Sequence, residues 1–225
     1  MLSTSYVFSK LITDSDSYVG DNSAIDHYNR RLEKSIGQYD QTHNVKASFV
    51  YELPWGKGRK WLQSGAASVI LGGWRLGAIH GYTSGTPVEL TNNNSYNIFN
   101  GRAAATVSTY DGWTTNLDNP DWRGADRFFQ PKSFFGAQPT DRLGNTTRHN
   151  PKARTFAAFN ENYSLAKSFS LGEKRHIDFR WEAFNMLNRS RFDTGVRNID
   201  DPNLGKVLTT INDPRRMQFA LKFYF

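Results

Sequence analysis

The segment from Arg216 to Phe225 reads Arg-Met-Gln-Phe-Ala-Leu-Lys-Phe-Tyr-Phe and keeps a two-residue alternation to its last position. Met217, Phe219, Leu221, Phe223 and Phe225 stand on one parity, with Arg216, Gln218, Ala220, Lys222 and Tyr224 on the other. Successive side chains of a strand point to opposite faces, so the segment presents one apolar face and one largely polar face. Its length suits a tilted membrane-crossing strand of about 9–11 residues. A half-buried strand of a soluble sheet carries the same alternation. The apolar parity, however, runs to the final Phe with no polar tail after it.

The period of two recurs along the chain and gives six strand candidates. Thr4 to Lys10 is short and weakly patterned. Asn44 to Leu53 alternates Val45, Ala47, Phe49, Tyr51 and Leu53 against a more polar set, and Pro54-Trp55-Gly56-Lys57-Gly58 ends it, because Pro and Gly break a ladder. Ser68 to Leu90 reads as one long strand with Ile70, Trp74, Leu76, Ala78 and Tyr82 on one parity and Gly73, Gly77 and Gly81 on the other. Phe159 to Leu171 is the fourth. Its apolar parity is interrupted by Lys167, which on a lipid face costs about 2–4 kcal/mol at mid-depth but about 0–1 near an interface, so it is expected near one end with its ammonium reaching the interface, unless the strand faces the other way. After Gly172-Glu173-Lys174 a fifth strand sets Ile177, Phe179, Trp181 and Ala183 against His176, Asp178, Arg180 and Glu182, and the terminal segment is the sixth. The expected connections are long after strands one, three and five and short after two and four. A membrane barrel has short turns at one rim and long loops at the other.

Composition removes several classes. Only 38% of the 225 residues are hydrophobic, no apolar run reaches the roughly 18 residues of a membrane helix, and aromatics make up 14%. A barrel escapes the helix test because half of each strand is polar, and its rims are rich in aromatics. A sugar-binding β-sandwich fits the same composition. The net charge of +7 raises a nucleic-acid partner, but Lys and Arg are scattered among Asp and Glu with no basic block, so none is expected. With no cysteine there are no disulfides, thiolate metal sites or cysteine nucleophiles. Met1 to Lys10 lacks the charged start and apolar stretch of a secretory signal.

No catalytic set emerges, and no cofactor or metal is expected. His27, His43, His80, His149 and His176 show no zinc-helix spacing and read as loop or lumen residues. Asp193-Thr194-Gly195 lacks the second copy that an aspartic protease dyad requires. Asp14-Ser15-Asp16 with Gly20 begins like a calcium loop, but Ile25 stands where a bidentate Glu belongs. Ser84-Gly85 does not fit the nucleophile elbow. Ligand binding is the better expectation. The aperiodic stretch from Thr91 to about Arg154 carries too many aromatics for a solvated tail and is rich in Asn, with Tyr110, Trp113 and Trp122 as candidate ligand contacts.

Several runs carry a resemblance: Asn44 to Gly56, Leu71-Gly72-Gly73-Trp74, Ser84-Gly85-Thr86-Pro87, Ser164 to Phe169, Arg180 to Asn188, and the terminal strand. As an ordered set they resemble the C-terminal part of TonB-dependent outer-membrane transporters, most closely the Oar-like branch. The resemblance implies an all-β fold: an antiparallel meander of about six transmembrane strands, forming the C-terminal segment of a barrel of about 22 strands with long extracellular loops. Residues 1–225 would then be one piece of that barrel, located in the bacterial outer membrane. Six strands are fewer than the roughly eight of the smallest barrels, and the family's plug domain and TonB-contacting segment have no counterpart here. The implied partners are outer-membrane lipid, the remaining strands and plug, the TonB complex through the missing part, and an unidentified transported ligand. The barrel-assembly machinery would read Phe219, Leu221, Phe223 and Phe225. Asp178, Arg180, Glu182 and Lys222 would line the lumen or meet the plug. The alternative from the residues themselves is a soluble or surface carbohydrate-binding β-sandwich, whose apolar faces would meet in a dry core.

Overall fold

The computed structural model describes residues 1–15, 28–91, 147–172 and 174–225. Ten strands are described. In chain order they are β1 (Leu2–Phe8), β2 (Ile12–Thr13), β3 (Ser35–Ile36), β4 (His43–Glu52), β5 (Arg75–Thr83), β6 (Pro87–Val88), β7 (Asn150–Arg154), β8 (Ala158–Ser170), β9 (His176–Phe184) and β10 (Arg216–Tyr224). The only described helix longer than a single turn is α1 (Gly65–Leu71), and no described helix is long and apolar enough to cross a membrane.

The six long strands form one antiparallel sheet in the order β1-β4-β5-β8-β9-β10. Each is hydrogen-bonded to the next long strand in the chain, which makes the sheet an up-and-down meander. The registers keep the parities aligned from edge to edge. Leu2 faces Phe49, Phe49 faces Ala78, Ala78 faces Tyr163, Tyr163 faces Ala183, and Ala183 faces Met217. A slip of one residue in any pair would move a whole apolar set to the other face. Across six strands most apolar residues therefore share one surface, and most polar residues share the other.

That surface is open. Phe219 and Leu221 are 71% and 72% exposed, and Leu2, Tyr6, Phe8 and Tyr51 are also exposed. The β-sandwich expectation needs a second sheet packed here. The other two described sheets are two-stranded, β2-β3 and β6-β7, and both lie in the long connections.

Of the described residues, 9–15, 28–42, 84–91, 147–157 and 185–215 lie at one rim of the sheet, and 53–74, 171, 172, 174 and 175 lie at the other. The short connection is closed by the Leu171 amide donating to the Arg175 carbonyl at 2.8 Å, with Gly172 at φ +139°. The expected long strand from Ser68 to Leu90 is corrected. Its first part is α1, the strand itself is Arg75–Thr83, and Pro87–Val88 pairs separately with β7. The β4–β5 connection is consequently not a short turn. It folds back on itself through Gly56, at φ +109°, whose Cα touches the backbone of Gly72 so closely that no Cβ fits there.

Candidate functional site

Three surfaces could carry function: the polar face of the sheet, the rim formed by the long connections, and the apolar face. The polar face holds Ser3, Ser48, Asn162, Ser164, Arg180 and Glu182, which together with Val50 and Ile79 line a cleft of about 320 Å³. Strands β1 and β9 both reach this cleft although they are four strand spacings apart, about 19 Å on a flat sheet. The sheet therefore curls with its polar face concave. Gly77 sits in the floor, where a Cβ would lie 2.6 Å from the Ser164 hydroxyl oxygen. The small residue lets β5 and β8 pack at this point.

Charges on the concave face are paired across or along strands. Arg180 and Glu182 form an ion pair at 2.6 Å, Gln218 donates to Glu182, and Lys222 stands opposite Asp178. His176 stacks on Tyr224 with ring centroids 4.2 Å apart. The four residues expected on the lumen side thus share one face. Val50, Ile79 and Phe184 are exposed among them, so the concavity is not uniformly polar.

The apolar face carries a few polar groups, most of them in two clusters. Toward the long-connection rim, the His80 ring lies between two hydroxyls, with Nδ1 3.2 Å from Tyr82 Oη and Nε2 3.1 Å from Tyr163 Oη. Next to them Glu161, almost fully buried, accepts from Arg189 Nε at 3.0 Å, and the guanidinium lies over the Phe159 ring. The expectation that His80 is a loop or lumen residue is therefore corrected, since it lies on the apolar face among aromatic rings. His43 bonds the Tyr6 hydroxyl at the same rim, His149 is buried in a long connection, and His27 lies outside the described residues.

At the opposite rim Lys167 stands on the apolar face and is buried. Its ammonium donates to the Val69 and Ile70 carbonyls at the end of α1, and it lies over the rings of Trp74 and Phe169. The carbonyls at a helix C-terminus carry partial negative charge, which suits a cation. The lysine is thus near the end of the strand, where the cost of its charge is least.

The long connections build a cap with its own core. Val88 and Leu90, Ala153, and Ile199 and Leu204 are buried together, with Phe156 and Val207 packed against them. Thr91 and residues 197–199 exchange backbone bonds, and Thr155 donates to Thr86. Arg154 ties three segments by reaching the Asp40 carboxylate at 2.7 Å and the carbonyls of Asp40 and Gly85. Burial alone would raise the Asp40 pKa, but the Leu11 amide and the Arg154 guanidinium outweigh it and hold the carboxyl below its ordinary range. Arg30 beside Asp14 lowers that carboxyl also.

The expected ligand contacts Tyr110, Trp113 and Trp122 lie outside the described residues. Of the expected assembly residues, Phe219, Leu221 and Phe223 lie on the apolar face, and the Phe225 ring stacks on Phe223 at 5.9 Å. Asp193 accepts from the Thr194 amide in a turn, with Gly195 at φ +81°. Among the described residues no cluster of His and carboxylates could hold a metal.

One uncovered apolar face, one concave polar face and a meander between two unequal rims define a membrane β-barrel wall. The chain matches the family described as outer membrane beta barrel domain over residues 1–218. It belongs to that family, and its place is the bacterial outer membrane. No curated protein and no solved structure matches it.

Proposed function

We propose that the chain forms part of the wall and outer gate of a TonB-dependent transporter of the Oar-like branch, active in taking up a ligand across the outer membrane. The observation that carries this reading is the unbroken alignment of parities across all six strands, with polar residues of the central strands lining clefts on the concave side. In lipid an open sheet edge is untenable, because unpaired backbone groups find no water. The free edges of β1 and β10 therefore pair with further strands of a larger barrel of about 22 strands. The rim with the long connections faces outward, and the rim with residues 171–175 faces the periplasm. The paired charges on the concave face meet the lumen or a plug, and the plug transmits energy from the TonB complex. The Phe219, Leu221, Phe223 and Phe225 stripe serves recognition by the assembly machinery. The chain catalyses no reaction and binds no nucleic acid in this reading.

The test is uptake by cells. Outer-membrane passage of labelled oligosaccharides and peptides is compared between cells with and without the protein, in TonB-intact and TonB-deficient backgrounds. Uptake that needs both supports the proposal; uptake indifferent to TonB leaves a passive barrel and removes the transporter reading.

A further inference from the structure

Residues 53–74 are internally well bonded yet leave their largest apolar side chains uncovered. Backbone bonds join Trp61 to Pro54 and Gly56, Gly73 to Trp55, and Leu53 to Trp74, while the Trp74 indole donates to the Ile70 carbonyl at 3.1 Å. Lys167 fastens the end of α1 to β8. Despite this order, Trp61, Leu62, Val69, Ile70 and Leu71 are all exposed, as is Leu171 on the neighbouring turn. Ordered apolar groups of this number imply a cover.

Two further observations say what the cover is. First, the segment is continuous with the membrane face: Trp74 packs edge-on against Phe169 and Phe179, which lie on the apolar face. Second, basic side chains surround it. Lys57 and Arg59 line the same cleft of about 670 Å³ as Trp55, Val69, Phe169 and Leu171, and Lys60 lies over the Trp61 ring at 4.9 Å. Exposed Lys174 and Arg175 adjoin on the next turn, and the acid at the end of β4, Glu52, is taken up by Arg59. Tryptophan with apolar neighbours and a cationic fringe is the composition that settles at a lipid headgroup boundary.

We propose that residues 53–74 form an interfacial foot that binds the anionic phospholipid surface of the leaflet at this rim, with α1 lying in the headgroup layer. Val69, Ile70 and Leu71 enter the acyl boundary while Lys57 and Lys60 meet phosphates. The proposal rests on the membrane assignment of the apolar face and is independent of any transported ligand.

The absence of cysteine makes the test specific. Assembled with the strands that pair with β1 and β10, the full chain carrying Val69→Cys and an environment-sensitive fluorophore is inserted into phosphatidylcholine vesicles with or without phosphatidylglycerol, and brominated lipids serve as quenchers. Leu221→Cys, on the apolar face of β10, reports whether the strands are in the bilayer at all, and Ser48→Cys reports the concave face. The expected result is quenching at positions 69 and 221 but not 48, with brominated phosphatidylglycerol preferred at 69. Replacing Lys57→Gln or Lys60→Gln should weaken that preference roughly fivefold per lysine, with quenching at 221 unchanged. A label at 69 that stays in water, or is shielded yet not quenched by either lipid, overturns the foot while leaving the barrel intact. So does a preference untouched by the lysine changes, or one abolished by free inorganic phosphate. Loss of quenching at 221 overturns the membrane face and the foot with it.

Discussion

Leu221 in β10 and Leu204 in the cap are the same residue type in opposite circumstances, one 72% exposed and the other fully buried. Around Leu221 the sheet satisfies its backbone through ladders and leaves its apolar side chains outside. Around Leu204 the long connections turn their apolar groups inward, as a small water-soluble domain does. The difference follows from the solvent each region meets. Apolar surface gains from leaving water, and the cap can achieve this only by packing against itself, whereas the sheet achieves it by entering a bilayer. Of the sheet's apolar residues only Ala78 and Ala183 are buried by the protein itself.

The sharpest way to break the comparison is to remove a cap leucine. Leu204→Ala should leave a cavity where Val88, Leu90 and Ile199 meet and cost about 2–5 kcal/mol of local stability. Amide exchange should rise across residues 84–91 and 197–207, with β9 and β10 still protected in lipid. A uniform loss of protection in cap and sheet together would mean that the two regions are one cooperative unit.

The reciprocal change is a charge on the sheet. Leu221→Arg should cost about 2–4 kcal/mol of folding stability in vesicles, while Ala220→Arg, one residue away on the concave face, should cost far less. Urea titrations of the two variants in lipid make the measurement. Equal costs would show that β10 is wet on both faces and would contradict the membrane face.

The cap should also respond to acid. The Asp40 carboxyl is held below its ordinary range in the folded cap, so its contribution is fully present above the unfolded pKa and is lost as pH falls through the folded value. Amide exchange near Leu11 and Arg154 should therefore accelerate below the usual carboxylate range. Asp40→Asn should flatten that dependence and cost about 1–3 kcal/mol at neutral pH, because Arg154 loses its charged partner in a partly buried site.

These expectations also mark what could be read from the chain. The six long strands and their faces were legible because a period of two, bounded by Pro, Gly and Asn, is a local signal. For Lys167 the same signal leaves two readings, an end-of-strand cation or a strand facing the other way, and the β5–β8 register selects the first. The run Ser68 to Leu71 was misread, since three apolar residues before Gly72 fit a strand or a helix equally well. There Ala66 and Ala67 extend the helical choice, and closure of the Gly56–Gly72 contact favours it. His80 shared the apolar parity of Leu76, Ala78 and Tyr82, but its tyrosine partners were invisible until β8 was set beside β5. The aromatic content of the third connection indicates an ordered loop, but the contacts that join the connections into a cap were not legible. The Arg154–Asp40 pair joins positions 114 residues apart, and no local pattern announces such a contact.

The concave face offers the smallest effect and the finest discrimination. Arg180 is 61% exposed in its pair with Glu182, so its charge faces solvent or a mobile neighbour rather than a packed core. An exposed pair of this kind contributes about 0–1 kcal/mol, and salt screens it. Arg180→Gln should therefore shift the urea midpoint in lipid only slightly, and the shift should vanish at high salt. A cost of several kcal/mol that salt does not reduce would mean that Glu182 is left uncompensated in a dry environment. The concave face would then be covered by protein even when no ligand is present, and water would not fill the space beside β9.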